Sequence, residues 1–76
     1  MKDIIFFIDK FSEQLTDNEV VEQDTVFKQL SSWDSLTSMV VINMIEDEYN
    51  VQITDDDLEK QSTINELFTL VLSKHE

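Results

Sequence analysis

The sequence predicts an all-α fold, a small bundle of three main helices plus one short helix. Apolar residues recur at helical spacing in three stretches, at residues 2–15, 35–49 and 64–71. Helix-start signals stand at the head of two of them: Asp34 before the second, and the capping-box spacing from Thr63 to Glu66 at the third. Size agrees. The 76 residues have room for one domain, 1–76, and at 41% hydrophobic the chain is too apolar for a disordered acidic tail. A chain this short buries only roughly 60% of its unfolded surface, so its core is thin.

Residues 2–15 place Ile4, Ile8, Phe11 and Leu15 along one side of a helix, with Asp3, Lys10 and Glu13 elsewhere on the wheel. Phe6 and Phe7 read as core packing. Thr16-Asp17-Asn18-Glu19 has capping-box spacing and predicts a short helical turn. Residues 20–34 show no sustained period. They read as a long loop with Val20, Val21, Val26, Phe27 and Leu30 pinned to the core, and a loop this long in so small a domain points to function.

The second helix is predicted from about Ser35 to Tyr49. Its core stripe is Ser38, Val41, Ile42, Ile45 and Tyr49. A second stripe, Leu36, Val40, Asn43 and Asp47, starts beside Ser35 and turns polar. A helix apolar on most of its circumference is central in a bundle or meets a partner, and both are expected here. Val51-Gln52-Ile53 is an extended link. Thr54 caps a short turn, Asp55-Asp56-Asp57-Leu58-Glu59, whose acids suit the positive end of a helix dipole. The last helix carries Ile64, Leu67, Phe68 and Val71 on one stripe with Leu70 beside it. Lys74 and His75 lie near its C-terminus, where a cation is favoured.

Five Lys and no Arg stand against seventeen Asp plus Glu, for a formal net charge of -12. That balance repels nucleic acid and anionic membrane and favours partners with basic surfaces. Without Arg, bidentate phosphate recognition by guanidinium is excluded. Without Cys there is no disulfide, thiolate nucleophile or Cys-based metal site. The apolar run Ile4-Ile5-Phe6-Phe7-Ile8 is too short for a signal segment, and nothing reaches membrane-spanning length. The expectation is a soluble cytoplasmic monomer with no membrane insertion.

Nothing reads as catalytic, so no enzyme is expected. A nucleophilic serine needs a base within reach, and the only histidine, His75, lies in a tail expected to fray. Asp55, Asp56, Asp57 and Glu59 suggest a divalent cation, but a calcium loop needs a sharp Gly turn and this chain has no Gly. They read as a solvated acidic turn, with no metal.

The chain is organised around Trp33-Asp34-Ser35-Leu36. Asp34 reads as a helix N-cap, its carboxylate accepting from the first backbone N–H groups. Ser35 then begins the helix, beside unpaired N–H groups and the positive end of the dipole, which suits a phosphate ester on its hydroxyl.

In that setting residues 27–71 resemble an acyl carrier protein. In that family a loop ends in Asp-Ser-Leu, here Asp34-Ser35-Leu36, and the serine carries 4′-phosphopantetheine. An apolar helix ending in acids and an aromatic follows, here residues 39–49. A short link to an acidic turn, residues 51–59, and a Thr-opened last helix, residues 63–71, complete the ordered set without a gap. The resemblance implies an acyl-carrier-like fold and covalent phosphopantetheine on Ser35, attached by a phosphopantetheinyl transferase. The arm's thiol then holds an acyl or aminoacyl group as a thioester for loading and transfer enzymes. Asp34, Leu36 and Trp33 flank the arm, and Leu36, Met39, Val40, Asn43, Glu46 and Asp47 meet partners. Three departures stand out: Ser31-Ser32-Trp33 replaces a stretch that commonly holds Gly, Val40 stands where an acid is common, and Thr54 where proline is common. The attachment site is intact, and the departures point away from housekeeping fatty-acid synthesis. The other function class is an unmodified acidic helical adaptor that binds a basic protein partner through the Leu36/Val40 stripe.

Overall fold

The computed structural model describes residues 3–15 and 19–75. In chain order these form α1 (Ile4–Glu13), a 3-10 turn (Phe27–Gln29), α2 (Ser35–Tyr49), α3 (Asp55–Glu59) and α4 (Ile64–His75). The fold is the predicted all-α bundle, three long helices and one short one. Its β content among the described residues is an isolated antiparallel bridge, Val26 to Thr63.

Helix α1 is shorter than the predicted 2–15. Asp3 is its N-cap, accepting from the Phe6 N–H at 3.0 Å, and Gln14 is its C-cap. The core face also turns relative to the predicted stripe. Phe7 and Phe11 are fully buried, whereas Ile4, Ile8 and Leu15 pack only partly against the core. The two rings lie one helical turn apart and offer the larger apolar area, so they take the centre. The capping box expected at residues 16–19 falls mostly on residues 16–18, which lie outside the described residues.

The loop that follows is stitched to the start of α4. The N–H groups of Ile64 and Asn65, which have no partner inside their own helix, donate to the carbonyls of Thr25 (3.1 Å) and Gln23 (2.8 Å). That register buries Val21 and Phe27 and half-buries Leu30. It leaves Val20 and Val26 outside, 78% and 36% exposed, so the expectation that all five apolar loop residues are pinned does not hold. Backbone pairing, which apolar content cannot reveal, selects which residues face in.

Helix α2 runs from Ser35 to Tyr49 as predicted and ends at Asn50, which is left-handed (φ 56°, ψ 41°) and donates its N–H to the Glu46 carbonyl at 2.9 Å. Asparagine is among the few residues other than glycine that accept this conformation. Val41, Ile45 and Tyr49 point into the core as expected. Met44 and Thr37, absent from the predicted stripe, are buried too, at 6% and 4% exposure. Ile42 and Ser38 turn partly outward. The buried arc is therefore centred between the two predicted stripes.

Thr54 and Asp57 form a reciprocal capping box on α3, with bonds of 3.1 and 3.0 Å. At α4 the predicted box is displaced by one residue. The Thr63 hydroxyl accepts from the Glu66 N–H at 3.2 Å, but the Glu66 carboxylate accepts from Ser62, at 2.7 Å. Two lysines hold α3 in place: Lys74 lies 3.6 Å from Asp57, and Lys28 donates to the Glu59 carbonyl.

Aromatic rings fill the centre. Phe7 meets Tyr49 and Phe68 at 5.8 and 5.3 Å between centroids, and Phe11 meets Phe27 at 5.8 Å. Each such ring is worth about 1.5–3 kcal/mol on full burial. Burial, with Asp3 and Glu48 nearby, pushes the Tyr49 hydroxyl up to about 12, so it stays neutral.

Two predictions follow from this packing. Asn50→Gly keeps the helix end intact, while Asn50→Val, forced into the left-handed region, costs about 1–2 kcal/mol in urea denaturation. Residues 29–59 hold eight acids and no Lys. Their mutual repulsion makes the melting temperature rise as salt or Mg²⁺ is added from a low starting level at neutral pH; a steady fall would contradict it.

Candidate functional site

Asp34 is extended (φ -153°, ψ -175°) and the helix starts at the next residue. Its carboxylate accepts from the Thr37 N–H at 2.8 Å and its carbonyl from the Ser38 N–H at 2.9 Å, the first bond of the helical ladder. Donation from the Thr37 N–H above all holds the Asp34 carboxyl below its ordinary value.

Ser35 is thereby fixed as the first helical residue, with its side chain exposed. Among the described residues its hydroxyl has no hydrogen-bond partner. Its neighbours differ. The Ser38 hydroxyl donates to the Ser35 carbonyl at 2.8 Å, the Ser32 hydroxyl to Glu19 at 2.6 Å, and the Thr37 hydroxyl to the Ser32 carbonyl at 3.0 Å.

A surface groove of about 810 Å³ opens beside Ser35 between α2 and α3. Trp33, Met39, Ile42, Ile53 and Leu58 give it an apolar floor, and Asp34, Ser38, Thr54, Asp55 and Glu59 a polar rim. Trp33 joins groove to core. Its indole lies parallel to the Phe11 ring at 5.9 Å and edge-on to Phe27 at 5.1 Å. Trp33 therefore belongs both to the core packing and to the groove wall.

The predicted partner face is only partly one surface. Leu36 and Met39 stand out at 64% and 53% exposure, next to Ser35, and Asn43, Glu46 and Asp47 are exposed further along. Val40 is half-buried. It lines a second groove of about 300 Å³ between α1 and α2, with Lys10, Met44 and Asp47 among its neighbours. Val40 is thus the wall of a groove rather than a fully exposed residue. No group of three or more His, Asp or Glu is placed to hold a metal ion among the described residues, and Asp55, Asp56 and Glu59 are exposed.

One tie within the loop escaped sequence reasoning. Glu19 accepts from the Ser31 N–H (2.9 Å), the Ser32 N–H (3.1 Å) and the Ser32 hydroxyl (2.6 Å). The Ser32 hydroxyl above all holds its carboxyl below the ordinary value. The departure at Ser31-Ser32-Trp33 is explained here: none of the three has positive φ, so the loop needs no glycine. A glutamate twelve residues away in sequence carries no local signal of this contact.

A family model described as a phosphopantetheine attachment site matches residues 7–71. The chain belongs to that family. Its carrier domains hold phosphopantetheine covalently on a serine and work with transferases and biosynthetic enzymes; they are not catalytic, so this chain is not an enzyme. A search of curated proteins found no match.

The cap has a pH signature. The Asp34 carboxyl is depressed in the folded state, so its stabilisation is present above the unfolded carboxylate value and is lost as pH falls through the folded one. Asp34→Ala should therefore melt below wild type at neutral pH. The gap should close as acid protonates the wild-type side chain; a gap that persists unchanged in acid would contradict the assignment.

Proposed function

We propose that Ser35 is the serine that takes 4′-phosphopantetheine, and that the chain is a carrier presenting an acyl or aminoacyl thioester to partner enzymes. The observation that carries the reading is the unengaged, exposed Ser35 hydroxyl beside hydroxyls that are already bonded. The residues present fit the group: Asp34 turns its carboxylate back onto Thr37, and the groove offers Trp33, Met39 and Ile42 to the apolar part of an arm. When bound, the group supplies a thiol that holds the cargo as a thioester. The protein's part is to orient Ser35 and to shelter the arm.

The reading extends to partners. Leu36 and Met39 form the apolar contact nearest the arm, with Val40 and Asn43 behind them. Glu46 and Asp47 steer basic surfaces toward the site, an effect that weakens with ionic strength. The chain works as a cytoplasmic monomer in this reading. No helix among the described residues is long and apolar enough to cross a membrane.

Incubation with coenzyme A and a broad phosphopantetheinyl transferase, followed by intact mass, tests the assignment. Wild type gains one phosphopantetheine. Ser35→Ala gains none and keeps wild-type helicity. A full adduct on Ser35→Ala would move the site to Ser31, Ser32 or Ser38. No adduct on wild type would favour the unmodified adaptor.

A further inference from the structure

The loop before Ser35 runs from residue 19 to residue 34, and Glu19 closes it on itself. Its carboxylate accepts from the Ser31 N–H, the Ser32 N–H and the Ser32 hydroxyl at 2.6–3.1 Å, so the start of the loop grips its end. The grip continues inward. The Ser32 carbonyl accepts from the Thr37 hydroxyl at 3.0 Å, and Thr37 is 4% exposed. The Thr37 N–H in turn donates to Asp34, the residue before Ser35. From the other side Trp33 is held by its N–H, which donates to the Leu30 carbonyl at 3.0 Å, and by its stack on Phe11. Every link between Glu19 and Asp34 is therefore a hydrogen bond of ordinary length, and two of the residues crossed are serines with no ring or branch to stiffen them.

We infer that Glu19 is a positioning residue for modification of Ser35: it holds residues 31–34 in the one shape that a transferase reads around the Asp34-Ser35-Leu36 turn. The inference rests on the assignment of Ser35. The physical reason is entropic. A recognition segment already ordered before encounter loses less freedom on docking, so preorganisation acts on affinity. The chemistry of transfer belongs to the transferase, so its rate on the bound carrier is unaffected. Charge matters as well as shape, because a carboxylate accepts all three donors, whereas an amide offers only one acceptor oxygen and turns an NH₂ toward a donor.

The test is steady-state modification of the full chain by a broad transferase with coenzyme A, comparing wild type, Glu19→Ala, Glu19→Gln and Lys74→Ala. Lys74→Ala removes the remote ion pair to Asp57 and controls for a general loss of stability. Glu19→Ala should raise the KM for the carrier by about tenfold, as loss of charge-assisted hydrogen bonds implies. Its kcat should stay within about a factor of two if chemistry is untouched. Glu19→Gln should fall between, and Lys74→Ala should keep the wild-type KM. Should Glu19→Ala fail to fold, Glu19→Gln and Thr37→Val, which removes only the relay hydroxyl, carry the test through the same rise in KM. A wild-type KM in the Glu19 variants, a loss in kcat alone, or an equal rise in Lys74→Ala overturns the inference while wild type is still modified at Ser35. Absence of any adduct at Ser35 in wild type overturns the assignment, and the inference with it.

Discussion

The bond from the Thr37 N–H to the Asp34 carboxylate sets where α2 begins, and the place of Ser35 follows from it. A cap must sit one residue outside the helix, extended, with its side chain turned back over the first turn. The following residue is then the first with helical backbone and has its side chain clear of that turn. The site thus depends on a local rule of helix initiation, reinforced by long-range ties: Glu19 through Ser32 and Thr37, and Trp33 through Phe11. Shifting the cap by one residue would turn the hydroxyl by about 100° around the helix axis.

A net charge of -12 on 76 residues opposes compaction, and the fold answers it by geometry. Acids are placed where backbone N–H groups need acceptors. Asp3, Asp34 and Asp57 each accept at a helix start, and Glu66 and Glu19 accept from Ser62 and from Ser31 and Ser32. Asp57 gains most from the Thr54 N–H and further from Lys74, and its carboxyl is held low. The remaining exposed acids face solvent, Asp55 and Glu59 at the rim of the groove and Glu46 and Asp47 further along α2. In the proposed carrier reading, the repulsion that weakens the free protein becomes attraction toward a basic partner.

The aromatic centre and the groove divide the labour of the apolar residues. Phe7, Phe11, Phe27 and Phe68 pack edge to face or tilted, which fixes α1, the loop and α4 around α2. Ile42, Met39 and Leu58 stay at the seam between α2 and α3 and form the groove beside Ser35. Trp33 belongs to both sets. A single indole therefore couples the packing of the core to the groove beside Ser35.

What the sequence determined by itself was local. Capping at Asp34 and Thr54, the span of α2, the burial of Val41, Ile45, Leu67 and Val71, and the family resemblance centred on Asp34-Ser35-Leu36 follow from spacing and side-chain chemistry within a few residues. Tertiary structure decided the rest. Val20 faces out although it is apolar, because bonds from Ile64 and Asn65 set the loop's register. Met44 faces in and Val40 lines a groove, because α1 packs across the seam between the two predicted stripes. Glu19 reaches Ser31 and Ser32 only once the loop has folded back on itself. Periodicity tells which residues share a helix face; which face meets which neighbour depends on contacts between residues far apart in the chain, and those are formed only by the packed whole.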